Sequence, residues 1–303
     1  MSLVDRKLRV LVEASGSPTA GYLINAIRKA GAEAIGSDVI DFTCAECLAD
    51  GFLKLPFKND PDLWEKVKNI IYTNRIDIVI PSFDEMMLGW AERLAEFEAI
   101  GCRVIISPLA TIEVCQDKWK TYEFFKSLSI PTPKTSLSQV YPLVKPRLGR
   151  GGQGVRVEKQ ATDMADMISQ EVLTGEEFTV DVFFDRDHWP VYIIPRRRLG
   201  VVNGKSTGGE VIKNKRIEDY IYTMSEKLSF VGPINFQCFV CENSVTFIEI
   251  NPRIAGGMAL GFAASENWID LILSNIMHGN KIIPKPISYG MKMIRYYSEC
   301  FLP

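Results

Sequence analysis

Along the first third of the chain, short unbroken apolar runs alternate with stretches whose apolar positions recur three and four residues apart. Leu8-Arg9-Val10-Leu11-Val12-Glu13-Ala14 reads as a buried strand, a turn follows at residues 15–18, and residues 19–29 read as a helix stopped at Gly31. The alternation continues with a strand near 32–39, a helix over 61–74, the strand Ile76-Asp77-Ile78-Val79-Ile80-Pro81, a long helix over 85–100 and a strand over 103–106. Strands alternating with helices imply a parallel, doubly wound sheet. The turn Gly16-Ser17-Pro18-Thr19-Ala20-Gly21 lacks the spacing of a dinucleotide loop and reads as a tight strand-to-helix connection. Asp84 and Glu85 stand where an acid past a strand end can reach a ligand, with helix N-capping by Asp84 as the plainer role.

The pattern changes after about residue 110. A helix over 111–128 is broken by Pro131 and Pro133, and strand-like runs at 141–145 and 155–157 flank a glycine cluster. Residues 162–169 read as a helix. From Glu177 onward the chain is strand-rich, at 178–184, 191–195, 234–240 and 245–250, with helices over 215–229, 258–264 and 268–278. The fold class is therefore α/β plus α+β: an N-terminal doubly wound parallel sheet, then a part built on antiparallel sheet. No internal repeat interrupts it.

Composition narrows the function without naming it. A length of 303 residues fits about two domains at roughly 150 residues each. Apolar residues at 47% suffice for a core without disulfide staples, and a net charge of −2 argues against general nucleic-acid binding. No run of apolar residues is long enough to span a membrane. Residues 1–7 lack the apolar segment of a secretory leader, so a cytoplasmic location is expected. Cys44/Cys47 and Cys238/Cys241 both have C-x-x-C spacing. The pairs lie far apart, however, and the odd offset within a strand sends Cys238 and Cys241 to opposite faces, so reduced, packed thiols are expected rather than a zinc site.

Four clusters carry candidate chemistry. In Leu143-Val144-Lys145-Pro146-Arg147-Leu148-Gly149-Arg150-Gly151-Gly152-Gln153-Gly154-Val155 a strand delivers a lysine into a glycine-rich loop, a combination that lets backbone amides approach phosphate oxygens; a plain flexible hairpin is the alternative. Residues 234–253 read as a hairpin in which Glu249 and Asn251 share a face. Gln237 lies opposite Glu249 if the loop is the three residues Glu242-Asn243-Ser244, with Asn243 left-handed. Three oxygen donors on one face suit Mg²⁺ held between protein and phosphates; a solvated polar stripe is the alternative. Residues 170–181 place Glu171, Glu176, Glu177 and Asp181 together, as ribose acceptors or as ordinary surface charge. Gly200-Val201-Val202-Asn203-Gly204-Lys205-Ser206 is one residue short of a Walker A loop and sits in strand-rich sequence, which argues against a P-loop.

In this order the clusters resemble the ATP-grasp superfamily, and most nearly one half-synthetase of the carbamoyl phosphate synthetase large chain. The signature is Phe247-Ile248-Glu249-Ile250-Asn251-Pro252-Arg253 with Gln237 before it. The resemblance implies a pre-ATP-grasp domain over 1–110 and a two-lobed ATP-grasp domain over 111–303, with a small lobe over 111–172 and a C-terminal lobe over 173–303. It implies that Lys118, Lys145, Gly151 and Gly152 contact nucleotide phosphates, Glu171 and Leu173 line adenine, and Glu177 binds ribose. It also implies that Gln237, Glu249 and Asn251 hold metal, and that Arg253, with Lys145, steadies the transferred phosphoryl group. The implied cofactors are ATP and Mg²⁺, with Mn²⁺ as a substitute. The implied activity is that of a ligase that activates a carboxylate as an acyl phosphate for capture by an amine; carbonate or carbamate phosphorylation and a non-catalytic ATP-binding module are the alternatives. Small-molecule carboxylate and amine partners follow, and a homodimer by analogy. The stretch 196–209 departs from the family pattern. Its arginines suit an acidic substrate, the γ-phosphate or a solvated basic edge.

Overall fold

The computed structural model describes residues 6–302 apart from residues 18, 203–204, 243 and 297, and the chain divides into two compact units. The first takes the chain up to Ile106. Its strands β1 (Arg9–Val12), β2 (Glu33–Asp38), β3 (Gly51–Lys54), β4 (Ile78–Ile80) and β5 (Arg103–Val104) form one sheet in the order β3-β2-β1-β4-β5. Every pairing is parallel, as the apolar runs predict. Helices α1 (Gly21–Lys29), α2 (Cys44–Leu48), α3 (Leu63–Thr73), α4 (Met87–Glu92) and α5 (Leu94–Ala99) connect the strands. The edge strand β3 and the short α2 have no counterpart in the sequence reading. The single helix expected over 85–100 is interrupted at Arg93, whose guanidinium stacks on Trp64 at 4.8 Å.

At the carboxyl end of β1 the acid that matters is Glu13. It is buried and accepts hydrogen bonds from Trp90 Nε1 (2.9 Å), Ser82 N (3.0 Å) and Phe83 N (2.9 Å). Burial pushes its carboxyl above the usual range, against the pull of those donors. Asp84 opens a short 3-10 turn, and Phe83, not Asp84, holds the cap position.

The second unit holds two antiparallel sheets. The smaller, in the order β6-β9-β7-β8, consists of β6 (Thr135–Ser136), β7 (Leu143–Pro146), β8 (Arg156–Val157) and β9 (Met167–Gln170). The helix expected over 162–169 is absent: Asp163 Oδ1 takes the Ala165 N–H at 2.9 Å, Asp166 has φ +54°, and the chain then runs straight into β9. The larger sheet has the order β14-β13-β10-β11-β12-β15, built from β10 (Glu176–Phe184), β11 (Pro190–Val202), β12 (Lys205–Val211), β13 (Gly232–Cys241), β14 (Ser244–Asn251) and β15 (Lys292–Ile294). The turn between β11 and β12, where the shortened Walker-like stretch falls, lies outside the described residues at 203–204, but the flanking strands are antiparallel partners, which no P-loop has.

Strict alternation divides the larger sheet into two faces. Phe178, Val180, Val182 and Phe184 of β10 and Ile234, Phe236 and Cys238 of β13 bury one face. They pack against Cys115 of α6 (Leu109–Gln116), Phe125 of α7 (Lys118–Ser127) and Ile217, Ile221 and Met224 of α8 (Lys215–Ser225). Burying each large apolar side chain is worth about 1.5–3 kcal/mol, so this face pins the register. The opposite face is thereby fixed as the polar one. Cys238 is buried and Cys241 exposed, on opposite faces as the odd offset requires.

The division between units is not one cut near residue 110. After α9 (Ala259–Ala264) the chain returns to the first unit as Glu266–Ile282, comprising α10 (Trp268–Leu271) and a π-helical turn over Ile272–Met277. Trp268 is fully buried there, and Asn267 Nδ2 donates to the Ala26 carbonyl of α1 at 2.9 Å. Among the described residues no helix is long and apolar enough to cross a membrane.

Candidate active site

The second unit gathers most of the residues singled out from sequence. Lys145 ends β7 with only 7% of its surface exposed, and Nζ donates to Gln170 Oε1 of the neighbouring β9 at 2.8 Å. Burial pulls its ammonium down to about 8; Glu249 acts against that shift and Lys118 adds to it, so the three charges share one site.

The glycine-rich loop leaves β7 tethered to the start of α7. The expected helix over 111–128 is two helices because Asp117 is extended and caps α7, accepting from Trp119 N (2.9 Å) and Lys120 N (3.3 Å). Asp117 also binds Arg147 in a fork, Nε to Oδ1 at 2.8 Å and Nη2 to Oδ2 at 2.6 Å. Burial alone would raise the Asp117 carboxyl, but Arg147 and the helix amides hold it below its ordinary value. Lys118 closes the link, donating from N to the Arg147 carbonyl (3.1 Å) and from Nζ to the Gly149 carbonyl (2.7 Å). Gly149, Gly151, Gly152 and Gly154 all have positive φ, between +64° and +111°, so the loop needs glycine there.

Gln237 pairs directly with Glu249, as expected, by a different route. Cys241 pairs with Ser244, so the turn is shorter than three residues, and a β-bulge between the Gln237 and Cys238 pairings offsets it by one. Asn243, expected to be left-handed, lies outside the described residues. The bulge also resets the phase of β14: Val245 and Phe247 face the core, and without the extra residue Glu249 would follow them. Asn251 Nδ2 donates to Glu249 Oε1 at 3.1 Å, and Arg253 Nη2 reaches Asn251 Oδ1 at 3.5 Å. Among the described residues no three His, Cys, Asp or Glu side chains are arranged as a metal centre. Gln237, Glu249 and Asn251 offer one carboxylate and two carboxamides, a hard-oxygen set too sparse to hold a cation unaided and suited to sharing one with phosphate oxygens.

Next to that row stands a buried network absent from the sequence reading as a unit. Arg196 Nε and Nη2 donate to Asp181 Oδ2 (2.5 Å) and Oδ1 (3.0 Å), and Asn235 Nδ2 donates to Asp181 Oδ1 (2.8 Å). Asp181 is 0% and Arg196 2% exposed, so Arg196 is neither a solvated edge nor an unclaimed anion receptor. Its guanidinium lies under Gly257, where an added Cβ would come within 2.7 Å of Nη2. Arg197 reaches Glu210 at 2.5 Å, and Arg198 forms an ion pair with Glu177. The Lys205 side chain is outside what is described. Thr179, paired with both Gln237 and Arg196, is 8% exposed, and its Oγ1 has no hydrogen-bond partner among the described residues. The signal that exposes these residues is period-two polarity inside apolar strands: Glu177/Thr179/Asp181, Asn235/Gln237, Arg196/Arg198.

A cavity of about 600 Å³ opens between the segment 171–174 and the β13–β14 hairpin, lined by Glu171, Val172, Leu173, Phe239, Cys241 and Thr246 among others. Glu171 Oε2 accepts the Lys134 N–H at 2.9 Å; with the Lys134 ammonium this holds its carboxyl below the ordinary value.

Residues 163–297 match the family described as ATP-grasp in the biosynthetic pathway with Ter operon. Similar solved structures include N5-carboxyaminoimidazole synthetase from Staphylococcus aureus complexed with ADP, at TM-score 0.73 and 14% identity over 94% of this chain and 81% of that one. Biotin carboxylase from Campylobacter jejuni in a β-γ-ATP complex gives TM-score 0.70 and 14% identity over 94% and 74%. L-amino acid ligase from Bacillus licheniformis gives 0.69 and 16% over 93% and 76%. At such identities the likeness to solved structures is one of fold. With the family match over residues 163–297, it supports an ATP-grasp fold for this chain.

Proposed function

We propose that the protein is an ATP- and Mg²⁺-dependent ligase that activates a carboxylate as an acyl phosphate and passes it to an amine. The observation that carries this reading is the shared site of Lys145, Lys118 and Glu249, with Gln237 and Asn251 beside Glu249 on one face. Adenine occupies the cavity against Leu173 and the Glu171 backbone. Glu177, whose Oε1 serves Arg198, gives its other oxygen to ribose. Lys118, Lys145 and the amides of Gly151 and Gly152 take the phosphates, and the loop 147–155 folds over them to exclude water.

Gln237, Glu249 and Asn251 would hold the metal, Mg²⁺ or Mn²⁺, which when bound neutralises phosphate charge. A substrate carboxylate oxygen attacks the γ-phosphorus in line and ADP leaves from the opposite side, while Arg253 and Lys145 stabilise the negative charge that builds on the transferred group; the amine then attacks the acyl carbon and expels inorganic phosphate. Positioning and electrostatics suffice, and no histidine is required.

The test is ADP and phosphate release from Mg-ATP with pooled carboxylates, with and without pooled amines, and separately with bicarbonate. Release that needs both pools supports the ligase. Release with bicarbonate alone replaces it with carbonate phosphorylation, the half-synthetase reaction. ATP binding with silence in every arm sinks the ligase for the substrates pooled and favours a binding module.

A further inference from the structure

The C-x-x-C pair at Cys44 and Cys47 finds no use in the site above, and its structural neighbour is not the other C-x-x-C pair. Within the first unit residues 298–302 lie against α2, where Cys47 Sγ is 3.7 Å from the carbonyl oxygen of Phe301, the residue next to Cys300. Cys44 is one helical turn before Cys47 on α2, with Sγ 3.8–3.9 Å from the carbonyl oxygens of Ser15, Gly16 and Ser17. Three of the seven cysteines thus meet at one place.

The other thiols are placed differently. Cys102, Cys115 and Cys238 are buried, and burial pushes all three thiols up, that of Cys102 to about 12, which disfavours the reactive thiolate. Cys241 is exposed and belongs to the second unit, whereas Cys44, Cys47 and Cys300 belong to the first. Cys300 is exposed and Cys47 half-buried, so a small oxidant can reach the pair. The cluster is not arranged as a metal centre. A close pair of accessible thiols is the arrangement that oxidises to a disulfide.

We infer that Cys47 and Cys300 form a reversible disulfide that fastens the C-terminal segment to α2. With a small-molecule disulfide as oxidant, one thiolate of the pair attacks it and expels one thiolate of the reagent, leaving a mixed disulfide. The second protein thiolate then attacks the protein sulfur of that mixed disulfide and expels the other half. One S–S bond is lost and one gained, the two cysteines are oxidised, the reagent is reduced to two thiols, and the protons of both protein thiols pass to the released groups. Burial raises the Cys44 thiol, and the contact with Cys47 raises that of Cys300. The reaction is therefore slow at neutral pH and faster in mild alkali.

The experiment exposes the full-length reduced chain to glutathione disulfide, followed by non-reducing peptide mapping. The expected result is a loss of two hydrogen atoms per monomer, a peptide joining Cys47 to Cys300, and reversal by a thiol reductant. C44S keeps the link. C300S loses it, leaving Cys47 as a mixed disulfide. A Cys44–Cys47 bond, a link only between chains, or mixed disulfides on both residues without a cross-link would each overturn the assignment. The readout is covalent and uses no activity, so its failure leaves the proposed ligase chemistry untouched.

Discussion

Gln237 stands opposite Glu249 because β14 carries one more residue than β13 between that pair and the turn. The bulge moves Glu249 off the face that Val245 and Phe247 bury and onto the one shared with Asn251. Glu249 is the single carboxylate of the row, so removing its charge is the most direct test of it. Glu249→Gln is expected to keep the fold, read by circular dichroism and melting temperature, and to lower Mg-ATP turnover by about 100-fold or more. Turnover within a few-fold of the parent would remove Glu249 from the site.

Lys145 gives a pH signature. Its folded pKa of about 8 lies below the ordinary value, so the unliganded fold holds fewer protons than the unfolded chain between about pH 8 and 10.5. By sign, this group makes stability rise with pH across that window. Phosphate binding favours the charged form, so nucleotide affinity should fall with rising pH above about 8, by up to about tenfold per unit. Calorimetry at about pH 8.5 in two buffers of different ionisation enthalpy should show proton uptake with the parent and none with Lys145→Met. Equal uptake in both would assign the proton elsewhere.

The buried Arg196–Asp181 pair should be costly to break and cheap to replace as a whole. Arg196→Met alone leaves Asp181 charged and is expected to cost about 3–5 kcal/mol in denaturant titration. The double variant Arg196→Met/Asp181→Leu should cost clearly less than the sum of the single changes. Additivity would mean the two residues act independently.

Thr179 separates a structural from a ligand-binding hydroxyl. Its Oγ1 is buried without a partner among the described residues, so Thr179→Val should leave stability unchanged or raise it by about 1 kcal/mol. If the hydroxyl touches substrate, Thr179→Val lowers acceptor-dependent ADP release and Thr179→Ser restores it. A large loss of stability in the valine variant would show instead that the hydroxyl supports the fold.

How far the sequence led depends on which interactions are local. The parallel sheet, the strand carrying Lys145 and the polar face with Glu249 and Asn251 were legible, because apolar runs and period-two alternation record burial directly. The strand β9 was misread, since Asp163 and Asp166 end the local helix preference through turn geometry that composition does not reveal. The Gln237–Glu249 pairing came out right through a three-residue loop without a bulge, where the protein uses a shorter turn with one; the two errors cancel. Asp181 with Arg196, and Cys47 with Cys300, join residues far apart in the chain. Only the three-dimensional path supplies those pairs.

The return of residues 266–282 to the first unit has a consequence for synthesis. α10 packs on α1, yet the segment that carries it is complete only at Ile282, 176 residues after Ile106 ends the unit's first segment. At about 5–20 residues per second that is a delay of roughly 10–35 s. During it the nascent α1 lacks its Trp268-bearing cover, while most strands of the second unit are already out and able to pair. The later-made unit can therefore complete most of its fold first, and a nascent chain truncated near residue 110 would present an open apolar face to chaperones.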